Sequence, residues 1–408
     1  MIFIALAISV LIVFVVQGRI YKKHALDNIE YNVTVSTGEV FEDEEIYIYE
    51  EIKNNKALPL PYLKVDTELP DGLTFHIVEP DKKTGELKTT YPRIIHSIFV
   101  MRGHQQIRRR WRVRCNTRGT YHLGNVTMLA DDILGYNTMA KVFEPGRESK
   151  QTIVVLPKAI NLEKHFTSSK YTSGDFVVQS SLLSDPLMKA GVREYTPGDP
   201  MNRINWTQTA VHNTLMVNLE EFTNRHQFNI IMNMQARDIE KTIPGPPSAR
   251  APVELCLTVI ASILDSVSSE NIPVRFICNT PPEQFGESSL SAARDTDDKI
   301  GEKIFVSPVF KGKTNIITAL RMLAQLELMI SVPIEKMLDH ILENPYGYTS
   351  GGNIIFVSSF LSERMINFCY ALRKVGITVI FYITSANINA AIIPEDIEVH
   401  FKTYLEED

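Results

Sequence analysis

Cysteine is scarce and scattered. The four residues Cys115, Cys256, Cys278 and Cys369 form no C-x-x-C pair, which argues against both a zinc site and a disulfide framework. Isolated thiols in apolar runs such as Glu254-Leu-Cys-Leu-Thr read as small core residues of a reducing compartment. The ten histidines follow no metal-ligand spacing, and the chain has no G-x-S-x-G elbow, no H-E-x-x-H pair, no internal repeat and no heptad run. Gly312-Lys313-Thr314 resembles the end of a phosphate-binding loop. The glycine needed five positions earlier is absent, however, and Pro308 removes an amide donor there. A net charge of −6 gives no argument for general nucleic-acid binding. No cofactor is expected.

What is present begins at the N-terminus. Met1 to Val16 reads MIFIALAISVLIVFVV, with Ser9 its one polar side chain. As a helix, 1–18 covers roughly 27 Å, slightly short of a ~30 Å hydrocarbon core. Arg19, Lys22 and Lys23 can make up the difference by snorkelling. A cleaved signal peptide would want basic residues before the run and a small-x-small site after it. Neither is found, so the expectation is a retained single span. The basic flank places the body on the cytoplasmic side of the cell membrane.

Residues 28–150 alternate over short segments such as Tyr31-Asn-Val-Thr-Val and Glu45-Ile-Tyr-Ile-Tyr-Glu, separated by turn signals. That spacing predicts a β-sandwich of immunoglobulin-like type. Residues 151–225 read as a connecting region. From 226 to 408 strands alternate with amphipathic helices, which predicts an α/β doubly wound domain with a parallel sheet. Its strands are expected at Phe228–Met234, Val274–Asn279, Ile304–Val309, Asn353–Ser358 and Thr378–Ile383. Helices are expected near 251–269, 314–329, 333–343 and 362–375, with Pro252 in a first turn and Gly376 as a C-cap. The polar stretch 281–301 reads as a loop.

In the stretch Ile107-Arg-Arg-Arg-Trp-Arg-Val-Arg-Cys115, a period of two puts Arg108, Arg110, Arg112 and Arg114 on one face. Such a ladder beside Trp111 could touch RNA or anionic lipid, and a membrane tether makes lipid the better of the two. The alternative is a solvated face whose arginines pair across the sheet with carboxylates such as those of Phe41-Glu-Asp-Glu-Glu.

Ligands of a doubly wound sheet sit beyond the C-terminal strand ends. Here those ends carry Asn233-Met-Gln-Ala-Arg237 and Ser358-Ser359-Phe360. Neither holds a carboxylate, and hard cations want charged oxygens, so no metal is expected.

The densest signal is Arg193-Glu-Tyr-Thr-Pro-Gly-Asp-Pro-Met-Asn-Arg-Ile-Asn-Trp206, followed by Ala210 and the alternating Leu215, Val217, Leu219. Pro197-Gly-Asp-Pro is turn chemistry, Arg193 or Arg203 can pair with Asp199, and Trp206 is expected to bury. The segment reads as a structural clasp, with a partner-recognition loop as the alternative. It resembles the signature of the bacterial domain of unknown function 58 family, R-E-Y-x-x-G-D, R-x-I-x-W, A and L-x-V, met by Arg193, Glu194, Tyr195, Gly198, Asp199, Arg203, Ile204, Trp206, Ala210, Leu215 and Val217. Arg118-Gly-Thr-Tyr-His-Leu-Gly and Asp132-Ile-Leu-Gly-Tyr are similar to further elements of that family. The resemblance implies a C-terminal von Willebrand factor A-like domain. The metal motif D-x-S-x-S of such domains is degenerate here, with Asn233, Gln235 and Arg237 in its place, Ser359 for the distal Asp, and Thr314 matching the Thr. The family often has Asp at Asn205 and Arg at Val211.

The resemblance implies a membrane-anchored, non-catalytic adaptor or scaffold beside a MoxR-type AAA+ ATPase, in assembly or envelope-related processes. Two other functions stand beside it. One is a hydrolase with its site at 193–206; the other is an anionic-lipid-binding surface protein using the arginine face.

Overall fold

The structure is a computed structural model of the 408-residue chain. It describes residues 2–80, 87–124, 126–132, 135, 137–144, 152–168, 189–196, 204–220, 227–236, 247–270, 272–280, 304–326, 328, 330–349, 353–385, 393–394 and 396–402. The chain divides into two compact units, Met1–Lys158 with Leu323–Gln325, and the remainder of Ala159–Asp408.

The first unit starts with α1, Ile2–His24. The first half of α1 is apolar and exposed, with Phe3 at 87% and Val13 at 67%. Its second half docks. Tyr21 in its last turn, and Ala25 and Leu26 just after it, join the core of the unit, and the Tyr21 hydroxyl donates to the Pro59 carbonyl at 3.0 Å. A Cβ added to Gly18 would lie 3.0 Å from Asn137 Nδ2, so glycine permits the close approach. In the turn that follows α1, Lys56 Nζ donates to Ala25 O at 2.7 Å and Asp27 O at 2.6 Å.

The strands of this unit are β1 (Ile29–Val35), β2 (Glu39–Phe41), β3 (Glu45–Asn54), β4 (Leu60–Glu68), β5 (Leu73–Phe75), β6 (Ile77–Pro80), β7 (Leu87–Thr90), β8 (Ile94–Met101), β9 (Gln106–Cys115), β10 (Gly119–His122), β11 (Val126–Asp131), β12 (Thr138–Phe143) and β13 (Thr152–Leu156). They form four-stranded antiparallel sheets ordered β1-β3-β9-β5 and β12-β11-β4-β8, a three-stranded sheet β10-β13-β2 and the pair β6-β7. Alternation builds the core: β1 buries Ile29, Tyr31, Val33 and Val35 and exposes the residues between. Residues from both four-stranded sheets share one cluster, including Ile48, Val113, Leu63 and Met128. The Tyr121 hydroxyl donates back to the Thr117 carbonyl at 2.9 Å, fixing the Arg118-Gly119 turn.

The second unit contains α2 (Leu162–His165), β14 (Phe166–Ser168), β15 (Lys189–Glu194), α3 (Trp206–His212), β16 (Met216–Glu220), β17 (Phe228–Met232), α4 (Pro247–Glu270), β18 (Val274–Cys278), β19 (Phe305–Val306), α5 (Lys313–Gln325, except its last three residues), α6 (Ile334–Glu343), α7 (Pro345–Thr349), β20 (Ile354–Ser358), α8 (Glu363–Lys374), β21 (Val379–Ile383) and β22 (Glu398–Lys402). Seven strands make one sheet, ordered β14-β22-β21-β20-β17-β18-β19. The five from β22 to β18 run parallel, and β14 and β19 are antiparallel edges. β17, β20 and β21 are buried at every position, as central parallel strands require. Helix α6 buries Ile334, Met337, Leu338 and Ile341, one face at helical spacing. Helix α8 ends in a Schellman motif: Gly376, with φ 82°, donates to Arg373 O and Ile377 to Leu372 O. Ala251–Ser268 within α4 is long and apolar enough to cross a membrane, but 56% of it is buried. With Leu257, Ile260 and Leu264 fully enclosed, it is a core helix.

Several sequence expectations shift. The segment 151–225 is more than a connection: β13 pairs with β10 and β2, and β14 pairs with β22. Strands this short carry too few residues to show a period. Helix α4 starts at Pro247, so Pro252 lies inside it, beyond the first turn. The Thr384 hydroxyl donates to the Pro252 carbonyl at 2.6 Å. The loop expected at 281–301 lies outside the described residues. All four cysteines are free and buried, and burial pushes the Cys115 and Cys256 thiols up to about 12.

Candidate functional site

Strand order defines a crevice in the second unit. From β17 the chain proceeds to β18 on one side and later returns to β20 on the other, so the switch point lies at the C-terminal ends of β17 and β20. Asn233 and Ser358 occupy those ends, both fully buried. Asn233 Nδ2 donates to Ser358 Oγ at 3.0 Å. Its carbonyl oxygen accepts from the Gln235 amide at 3.0 Å and from Asn279 Nδ2 at 3.1 Å. Asn279 Oδ1 in turn accepts from the Met234 amide at 2.9 Å. Gln235 Oε1 accepts from the Ile334 amide at 3.1 Å, which serves the first turn of α6, and Ser359 Oγ donates to Gln235 O at 3.1 Å.

The cluster therefore unites Asn233, Gln235, Ser358 and Ser359 of the strand-end residues expected to lie here and adds Asn279. Asn279 was legible by the same rule, because it follows the end of β18. Thr314 is exposed in the first turn of α5 and takes no part in this network among the described residues. Arg237 lies outside the described residues. The donors and acceptors around Asn233 are spent on one another, which suits a neutral latch between strand ends. Among the described residues no three His, Cys, Asp or Glu side chains gather as a metal would need.

The signature segment forms a hairpin and a short helix. β15 pairs antiparallel with β16, and Ile204 bridges to Val217, both buried. Asn205 is the N-cap of α3, accepting from the Gln208 amide at 3.1 Å. Asp and Asn cap equally well, so Asn at this place keeps the local structure. The Met216 amide donates to Thr209 Oγ1 at 3.0 Å and closes the turn. Trp206 corrects the expectation of burial: it is 66% exposed, and α3 has no buried residue. Val211 at 70% and Leu215 at 43% lie exposed nearby in sequence. Glu194 is exposed and Tyr195 half-buried. Gly198, Asp199, Arg203 and the side chain of Arg193 lie outside the described residues.

On β9 the alternation places Arg108, Arg110 and Arg112 outward and Val113 and Cys115 in the core. The partners come from β3 and the turn before it. Arg108 pairs with Glu51 at 2.9 Å, Arg112 with Glu45 at 3.2 Å and Arg114 with Asp43 at 3.2 Å. The Arg110 guanidinium lies 4.6 Å from the Tyr47 ring centroid. Arg109, out of phase with the ladder, turns inward against buried Glu50.

No protein-family model matches the chain, and no curated protein matches it. Solved structures share limited likeness. The sporulation control protein Spo0M of Bacillus subtilis has 12% identity over 29% of this chain and 49% of its own, with a TM-score of 0.17. The CARDB domain of the PF1109 protein of Pyrococcus furiosus has 11% identity over 31% and 91%, with a TM-score of 0.18. A non-cellulosomal cohesin of Archaeoglobus fulgidus has 13% identity over 29% and 93%, with a TM-score of 0.18. Likenesses at these scores carry no argument about function.

Proposed function

We propose that the chain is a membrane-anchored, non-catalytic protein-binding adaptor of the domain of unknown function 58 type, working beside a MoxR-type AAA+ ATPase. The observation that carries this reading is Trp206. A hairpin with a capped helix holds a tryptophan 66% exposed, with Val211 exposed on the same helix. Tryptophan is the residue type most enriched at energetic centres of interfaces, and an ordered platform lowers the cost of association.

Other features support the same reading. The exposed apolar half of α1 suits a single membrane span, and Arg19, Lys22 and Lys23 orient the body to the cytoplasmic side. The first unit reads as an immunoglobulin-like sandwich. The parallel strands of the second read as a von Willebrand factor A-like domain whose metal position has become a neutral latch.

The test is affinity purification of the full chain from membranes, with and without ATP, followed by identification of what is retained. Nucleotide-dependent retention of an AAA+ ATPase, lost in Trp206→Ala, is expected. Equal retention by that variant, or no ATPase in either condition, would overturn the reading.

A further inference from the structure

A cleft of about 520 Å³ opens where α1 meets the first unit, lined by Ile20, His24, Asp27, Asn28, Lys56 and Lys141 among others. That volume falls in the range of ligand pockets. Ile20 and His24, four residues apart, present one face of α1 to it. Lys56 comes from the loop between β3 and β4, and Lys141 from β12.

The charges are unbalanced. The one acidic lining residue, Asp27, is engaged by His24 Nδ1 at 2.8 Å. Lys56 spends two of its three donors on the carbonyls of Ala25 and Asp27. Lys141 has no carboxylate partner among the described residues, and its ammonium lies 5.2 Å from the Phe143 ring centroid. Two ammonium groups thus converge on one opening. Burial, with Lys141 adding to it and Asp27 opposing, pushes Lys56 down to about 8. Arg19, Lys22 and Lys23, all exposed, add positive charge along the same end of α1.

Depth along α1 gives the level of the cleft, on the reading of α1 as a membrane span. The apolar run ends at Val16. Ile20 lies roughly 6 Å and His24 roughly 12 Å further along the axis. The headgroup layer of one leaflet is about 5–7 Å thick. The apolar run is itself shorter than the hydrocarbon core, which draws Ile20 toward the boundary. The mouth of the cleft then lies at headgroup level, where anionic phosphates are concentrated.

We propose that this cleft binds a phosphate group between Lys56 and Lys141, supplied by the headgroup of an anionic membrane lipid. The ligand anion relieves the repulsion between the two ammonium groups, and the carbonyls of Ala25 and Asp27 hold that of Lys56 in place. The arginine face of β9 is a poorer candidate, because three of its four arginines already hold carboxylates.

The experiment is native mass spectrometry of the full-length protein in detergent, titrated with short-chain phosphatidylglycerol, phosphatidic acid or phosphatidylcholine, and separately with inorganic phosphate and glycerol phosphate. Preferential retention of the anionic lipids is expected, falling about fivefold for each lysine removed. Lys141→Met is the decisive variant, because Lys141 makes no hydrogen bond that the fold needs among the described residues. Lys141→Arg should restore retention, and Arg108→Ala should leave it unchanged. Equal retention of phosphatidylcholine, or full retention by Lys141→Met, would overturn the proposal. Binding of inorganic or glycerol phosphate with no preference for anionic lipid would overturn the lipid source. Failure of the anchor reading is separable: the full chain would then leave membranes on an alkaline carbonate wash, whatever it binds in detergent.

Discussion

Glu50 and Arg109 stand side by side on neighbouring strands and form an ion pair within the first unit, their side chains 1% and 13% exposed. Glu50 also accepts from Trp111 Nε1 at 3.0 Å and Thr67 Oγ1 at 3.2 Å. The Arg109 guanidinium lies 4.7 Å from the Trp111 ring centroid and 5.0 Å from that of Phe99. A buried charge is tolerated when paired and fully hydrogen-bonded, and removing one partner costs about 3–5 kcal/mol. Arg109→Met and Glu50→Gln should each destabilise strongly, with the double variant well short of their sum. A urea-unfolding double-mutant cycle measures this, and coupling below about 0.5 kcal/mol would show the pair to be independent.

Trp206 should behave as a surface residue. Trp206→Ala is expected to change stability by no more than about 0.5 kcal/mol. The chain has two tryptophans, and Trp111 donates to a buried carboxylate. Acrylamide should therefore quench the Trp206 part of the emission and spare the rest. A blue-shifted Trp206 signal, or a large drop in melting temperature in the variant, would contradict its exposure.

Much of the second unit was legible because central parallel strands are unbroken apolar runs. Ile354–Ser358 and Val379–Ile383 stand within a residue of where the pattern put them. Gly376 was legible as a helix stop because its φ of 82° favours glycine. The edge strand β14 was not, since three residues show no period. Trp206 was misjudged because residue type alone favours burial of a large aromatic. The inward turn of Arg109 depends on Glu50, 59 positions away, and no local pattern encodes such a partner. The cleft at the foot of α1 likewise joins residues from a helix, a loop and a strand.

Asn233 and Thr314 hold equivalent standing in a metal-site reading, but the fold treats them differently. Asn233→Ala leaves Ser358 Oγ, Asn279 Nδ2 and the Gln235 amide short of a partner in a fully buried place. A loss of about 2 kcal/mol or more is expected. Thr314→Ala, at an exposed position, should cost less than about 0.5 kcal/mol. Melting temperatures of the two variants test the latch directly. A divalent cation that raised the wild-type melting temperature through this place would refute it, since a ligand that binds the native state stabilises it by mass action.

Asp43 links the arginine face to acid stability. It sits in the turn before β3 with φ 68°, a conformation Asp and Asn tolerate better than most residues. The hydrogen bond from Arg114 holds its carboxyl below the ordinary value of 3.8, partly opposed by burial and reinforced by Lys158 at 3.4 Å. A depressed folded value means that the unfolded chain takes up the proton first as pH falls. The contribution of Asp43 is therefore full above about pH 4. It is lost as pH drops below that value and through the lowered folded one. Asp43→Asn keeps the backbone conformation and removes the charge. The stability difference between wild type and variant should be constant from pH 7 to about 5 and shrink below about 4. Half-exposed partners make it sensitive to salt as well. Urea midpoints of both proteins across that range measure the difference, and a gap that stayed constant into the acid limb would show that Asp43 gains nothing from Arg114.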